Sequence, residues 1–356
     1  MKPIVRRWFW VGVSAVVVAL VIYHVSQGSE WRSFRWSRLW ASITSANPAY
    51  LLAAVVVTYS SYVVRAYRWG FFLEPIKKAS LRVLFTGQIL GFAAIYLLGR
   101  PGEIVRPGYI AQRENVSYTS MAAVWLLERI YDMIFIALLF SASLFLVPLH
   151  AAPDRVRSVI SSAHTVSLLT LLGTAAFVVF LVFVRLRADS MKLRTPWLLR
   201  FLSQRQQHHL ERFLRSFADG LGVIRSWKDL WASVASTALL WGINVTVFWL
   251  VFLSMGGDVG RLGWMAAALT LFSGILGMMV QLPGIGGGFQ VVVIKVMTDF
   301  LGISLVEAAG ASILIWILLV FPCVALGVVL LVHEGLSVRK LERIVEEEEA
   351  QLNEKL

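Results

Sequence analysis

Residues 97–132 read LLGRPGEIVRPGYIAQRENVSYTSMAAVWLLERIYD, a charged and broken stretch set between two apolar segments. It carries Arg100, Glu103, Arg106, Arg113, Glu114, Glu128, Arg129 and Asp132, and Gly99, Pro101, Gly102, Pro107 and Gly108 interrupt it. The rest of the chain makes a bilayer the solvent to assume. Hydrophobic residues make up 58%, charged residues only 15%, and several apolar runs reach spanning length. Each Arg, Lys or Asp at a bilayer centre costs about 2.5–3.5 kcal/mol on insertion scales. Arg100, Arg106, Arg129 and Asp132 facing lipid unpaired would therefore cost on the order of 10 kcal/mol. They must pair, line a wet cavity or lie at the surface.

The expected fold class is all-α: a polytopic integral membrane protein with about six full spans plus two re-entrant broken-helix hairpins in an inverted-repeat arrangement. Full spans are expected near 8–25, 48–64, 119–147, 162–184, 230–253 and 308–332. One membrane domain covers 1–335, divided into a first half 1–184, a basic amphipathic linker 185–228 and a second half 229–335. A charged helical tail, 336–356, follows. Residues 28–46 place Trp36, Trp40 and Ile43 at helical spacing, which suits an amphipathic helix in the outer headgroup layer. Lys and Arg cluster in the loops after 64 and over 185–228, so the positive-inside rule puts both of those, and both termini, in the cytoplasm. Arg65 and Arg68 read as helix-end arginines that close the second span and snorkel, with lipid phosphates in reach.

The apolar run 81–98 enters the bilayer and meets the broken stretch, so its charges are expected at a hairpin tip. A second break, QLPGIGGGFQ at 281–290, follows another apolar run. Backbone amides freed there, with the start of the next helix, can hold an anionic group, and Gln290 would add a side-chain donor. A glycine-rich loop serving packing alone is the alternative. Lys295 and Asp299, four apart, are expected to pair. Residues 81–118 should dip in from the cytoplasm and 263–303 from outside, so the two hairpins point at each other across a midplane site. Glu128 and Asp132, also four apart, share a helix face with Arg129, as a substrate-facing stripe or as a salt bridge that only pins the helix.

Composition excludes several classes. The net charge of +12 lies in loops beside apolar spans and is accompanied by no nucleic-acid motif. One cysteine, Cys323, and six scattered histidines argue against a disulfide framework or a metal centre, and no cofactor motif is visible. Without a Walker motif, any transport would be downhill or ion-coupled.

The runs GRPGEIVRPGYIAQRENVS, LLERIYD and LPGIGGGFQ together resemble the flippase-like membrane domains of lysylphosphatidylglycerol synthases and stand-alone bacterial proteins of that type. The resemblance covers roughly residues 8–335. It places the family pattern on Gly99, Arg100, Gly102, Glu103, Arg106, Glu128, Arg129, Asp132, Pro283, Gly284 and Gly286, with Gly287 and Gln290 completing the loop. The family loop often ends in Glu where this chain has Gln290, which argues against strict ion coupling there. The two-part members join a soluble aminoacyl transferase domain to the membrane domain; the chain has no room for one, so that activity is not expected. The resemblance implies a lipid translocase of the bacterial inner membrane that moves a phospholipid or lipid-linked headgroup between leaflets. Arg100 and Arg106 would take the phosphate, with Glu103, Glu128 and Asp132 holding those arginines and Arg129 locking the second helix. Expected partners are that lipid and an anionic membrane surface, with no nucleic acid; homo-oligomerisation is left open. The alternatives are an intramembrane transferase using a lipid-phosphate donor, with Glu103 or Asp132 as base, and a non-transporting partner subunit.

Overall fold

The computed structural model describes residues 12, 34–74, 76–146, 165, 167–176, 227–278, 281–282 and 286–335. The expected first span, the basic linker up to 226, the charged tail, and Pro283 and Gly284 lie outside the described residues. What is described is built of helices: α1 (Trp36–Thr44), α2 (Pro48–Leu73), α3 (Leu81–Leu98), α4 (Val105–Glu114), α5 (Tyr118–Leu146), α6 (Ser167–Ala176), α7 (Trp227–Met255), α8 (Trp264–Gly277), α9 (Gly288–Asp299) and α10 (Leu305–His333). Five of them, α2, α3, α5, α7 and α10, are long and apolar enough to cross a membrane. That set includes α3, whose 18 residues were expected to form only one arm of a hairpin.

Local chemistry explains the boundaries. Asn47 caps α2 by accepting from the Ala49 N–H at 2.9 Å, and Pro48 occupies the first turn, where a missing N–H costs nothing. Ser304 starts α10, its hydroxyl donating to Glu307 Oε2 at 2.7 Å. Helix α3 stops at Gly99, whose φ of 75° is open to glycine and costly for other residues. A 3₁₀ turn, Arg100–Ile104, then reverses the chain into α4. The charged stretch is thus a turn plus a return arm, and Arg106 lies within that arm rather than at the tip where it was expected.

Two tight antiparallel hairpins result. In the first, a Cβ on Gly91 would lie 2.5 Å from Arg106 Cβ, so α3 and α4 touch backbone to side chain. In the second, a Cβ on Gly277 would lie 2.4 Å from the Gly288 carbonyl oxygen, bringing α8 against α9. A two-residue antiparallel bridge, Gln281 to Gly287 and Leu282 to Gly286, closes the second turn. This short bridge sits within an otherwise helical fold, where a glycine run that resists helix can still pair its backbone.

Helices α2 and α7 lie side by side and antiparallel: the Asn47 N–H donates to Ser254 O at one end, while Arg68 reaches Thr237 at the other. Around this pair, the packing of the first half has a counterpart in the second. Helix α3 packs on α4 and α10, as α8 packs on α9 and α5; α2 packs on α3, as α7 packs on α8; α4 packs on α5, as α9 packs on α10. One buried core centres on α7, α8, α9 and α10, and a second on α2 to α5. On α1, Trp36 and Trp40 remain exposed while Leu39 turns inward, and the helix packs on α10.

Candidate functional site

A buried ion network joins α2, α3, α4, α5 and α7. Its acids are one turn apart on α5: Glu128 is fully buried and Asp132 nearly so. Arg68, fully buried on α2, grips both. Its Nη1 donates to Asp132 Oδ1 at 2.7 Å, and its Nη2 donates to Glu128 Oε1 at 2.7 Å and to Asp132 Oδ2 at 3.3 Å. Arg106, from the first hairpin, donates through Nη2 to Glu128 Oε2 at 2.5 Å and through Nη1 to Gln88 Oε1 at 2.8 Å. Its guanidinium also lies 4.5 Å from the centre of the Trp69 ring. Arg129 closes the group, its Nη2 at 3.2 Å from Glu128 and 3.4 Å from Asp132. From α7, Trp241 Nε1 donates to Asp132 Oδ1 at 3.2 Å. The expected stripe of Glu128, Arg129 and Asp132 therefore exists, and it ties together helices from both halves of the chain.

Arg65 and Arg68 are where the sequence reading needs correction. The second span does not end at 64; α2 continues to Leu73 and carries both arginines inward. Arg68 does not snorkel, because two carboxylates some sixty residues away compensate its charge. A signal was present: Thr58, Ser61, Arg65 and Arg68 recur at spacings of three and four, and all four are buried on one face. Gln88 and Trp241 were also missed, each a polar group within a predominantly apolar helix.

The other anticipated residues fall into place around this centre. Gly99 forms the turn, and Gly102 is pressed against the Ala94 backbone, where a Cβ would meet the Ala94 carbonyl carbon at 2.3 Å. Glu103 is half-buried in the 3₁₀ turn, and the carboxylate that holds Arg106 is Glu128. Asp132 holds Arg68 and Arg129 instead of Arg106. The backbone of Arg100 opens the 3₁₀ turn, and its side chain lies outside the described residues. In the second hairpin, Gln290 Oε1 accepts from the Gly287 N–H at 2.6 Å, so its carbonyl closes the first turn of α9. Lys295 and Asp299 pair at 2.6 Å, as their spacing implies. Among the described residues, no group of acids, histidines and cysteines is arranged to hold a metal.

Two features of the network bear on what it could hold. Arg65, Arg68, Arg106 and Arg129 outnumber the two carboxylates by two, and a guanidinium stays protonated under all ordinary conditions. Further, among the described residues Arg68 Nε, Arg129 Nε, Gln88 Nε2 and Trp69 Nε1 are buried with no hydrogen-bond partner. All four are N–H donors. The Gln88 amide cannot be turned to relieve this, because Arg106 offers it only N–H groups and so fixes its oxygen. An unmet buried donor costs about 1–3 kcal/mol. A centre with surplus positive charge and surplus donors is matched chemically to an anion rich in acceptor oxygens.

The family described as the lysylphosphatidylglycerol synthase TM region matches residues 8–327, nearly the whole chain. The protein belongs to this family. Within the lysylphosphatidylglycerol synthase TM family match lie both hairpins and every member of the ion network. The chain is 26% identical over 296 residues to a protein of Pyrococcus horikoshii called UPF0104 membrane protein PH1989, with 75% of this chain and 81% of that one covered. It is 23% identical over 298 residues to a Haloferax volcanii protein called Glycosyltransferase AglD, covering 76% of this chain and 46% of that longer protein.

Proposed function

We propose that this family member is a lipid translocase, moving a lipid with a phosphate-bearing headgroup between the two leaflets. The observation that carries the reading is the cluster of four buried N–H donors without acceptors, set around a guanidinium excess where a broken hairpin meets two long helices. A phosphate offers the acceptor oxygens and the negative charge that this cluster is short of. The packing exchange between the halves, about an antiparallel α2 and α7, supports an inverted repeat, and with it an arrangement in which the hairpins enter from opposite leaflets. Near their tips, Tyr96 of α3 meets Trp316 edge to face and Phe289 of α9 meets it at a tilt, at 6.0 and 5.4 Å between ring centres, giving the hairpins a common apolar joint. In the proposed cycle Arg106 releases Glu128 to take the phosphate, and the hairpin bearing it shifts its opening from one side to the other. Arg100, Gly284 and Pro283 belong to the same proposed path.

An intramembrane transferase is the second reading, and the name of the Haloferax relative, a glycosyltransferase, favours it. It needs a free carboxylate as base. The candidate bases are Glu103 and Asp132: Asp132 is already held by Arg68, Arg129 and Trp241, and Glu103 lies half-buried in the 3₁₀ turn.

The test is leaflet exchange of headgroup-labelled phosphate lipids in proteoliposomes, comparing wild type, Arg106→Gln, Arg106→Lys and a control, Arg261→Ala, which removes an exposed pair with Asp258. Translocation predicts headgroup-dependent exchange in wild type and the control, loss in Arg106→Gln, and partial retention in Arg106→Lys with its charge but without its fork. Wild-type exchange by a folded Arg106→Gln variant would overturn the reading.

A further inference from the structure

Arg65 stands apart from the ion-paired arginines. It lies on α2 one turn before Arg68 and is about nine-tenths buried. Arg68, Arg106 and Arg129 each reach a carboxylate; among the described residues Arg65 reaches none and rests 4.9 Å from the centre of the Phe92 ring. Arg106 approaches that same ring at 5.7 Å, so the two guanidiniums share one aromatic neighbour beside the four unmet donors. The centre thus holds two formal positive charges more than its carboxylates cancel, and buried charge is costly unless it is matched.

That count discriminates between ligands. A phosphodiester headgroup carries one negative charge. A phosphomonoester or diphosphate carries about two near neutral pH, because its second ionisation falls near pH 6. We propose that the site selects lipids ending in a dianionic phosphoryl group over phosphodiester lipids, and that Arg65 is the residue that recognises the second charge. This rests on the reading of the network as a lipid-phosphate site. Arg106, Gln88 and Trp69 then hold the phosphoryl oxygens common to both lipid classes, while Arg65 adds an attraction that grows with the charge of the headgroup.

The experiment is equilibrium binding at pH 8 to the full chain in detergent. The probes are short-chain phosphatidic acid, a phosphomonoester, short-chain phosphatidylglycerol, a phosphodiester, and inorganic phosphate. Wild type should prefer phosphatidic acid by about tenfold or more, and Arg65→Gln should weaken phosphatidic acid by a larger factor than phosphatidylglycerol, bringing the ratio toward one. Arg65→Lys should keep most of the preference. A residue that serves packing alone would weaken both lipids together, or lower thermal stability without moving their ratio, and either result overturns the role of Arg65. Equal binding of the two lipids by wild type overturns the charge selection and leaves the translocase reading standing. Inorganic phosphate binding as tightly as phosphatidic acid overturns the lipid as the ligand, and a wild type that binds neither lipid overturns the functional reading itself.

Discussion

Replacing Glu128 by Gln probes the network at its centre. Three guanidiniums converge on that carboxylate: Arg106 at 2.5 Å, Arg68 at 2.7 Å and Arg129 at 3.2 Å. The substitution preserves shape, removes one negative charge and adds two N–H donors to a centre where four already lack acceptors. The formal excess rises from two to three positive charges. Breaking a buried ion pair by deleting one partner costs about 3–5 kcal/mol, mostly through the uncompensated charge left behind. Glu128→Gln should therefore lose about 3–5 kcal/mol of unfolding free energy, read by denaturing-detergent titration in micelles. The double variant Arg106→Gln/Glu128→Gln returns the excess to two, so it should regain about 1–3 kcal/mol relative to Glu128→Gln alone. A Glu128→Gln protein within about 1 kcal/mol of wild type, or strictly additive effects in the double variant, would refute a network held by charge balance.

Three further outcomes are expected. Trp241→Phe retains an aromatic ring beside Phe272 but removes the indole N–H that bonds Asp132, and should cost about 1.5–3 kcal/mol in the same titration, the range for a bond to a charged group. Gly277→Ala would press a methyl against the Gly288 carbonyl and should cost about 1–3 kcal/mol, whereas Gly242→Ala, with nothing within 4 Å, should be neutral or up to about 1 kcal/mol stabilising. Gln290→Ala should lose about 1 kcal/mol, because its oxygen closes the first turn of α9, and should exchange lipid at close to the wild-type rate if capping is its main task.

The class of protein was legible because apolar length and charge placement are local properties. The two breaks were legible for the same reason: glycine and proline at 99–102 and 283–288 oppose helix wherever they stand. The Glu128, Arg129 and Asp132 stripe followed from helical spacing alone. Arg68 was misread because hydropathy sees a charge but not its partner, and the partners lie on another helix. Gln88 and Trp241 were invisible for a related reason, since an amide or indole in an apolar helix gains meaning only from what packs opposite. Gln290 was expected to add a side-chain donor for an anion; what the sequence did not show is that its carbonyl oxygen accepts from the Gly287 N–H, in a glycine-rich turn that supplies no side-chain cap of its own.

The central claim is that the buried guanidinium network holds a lipid phosphate, and the most direct measurement of it is phosphorus-to-nitrogen dipolar dephasing by solid-state NMR. Full-length protein with ¹⁵N-labelled arginine would be placed in bilayers containing phosphatidic acid, and compared with Arg106→Gln. The account predicts dephasing of guanidinium nitrogens by ³¹P in wild type, with a component that disappears in the variant while the signal from surface arginines persists. Identical dephasing in the two proteins would contradict it.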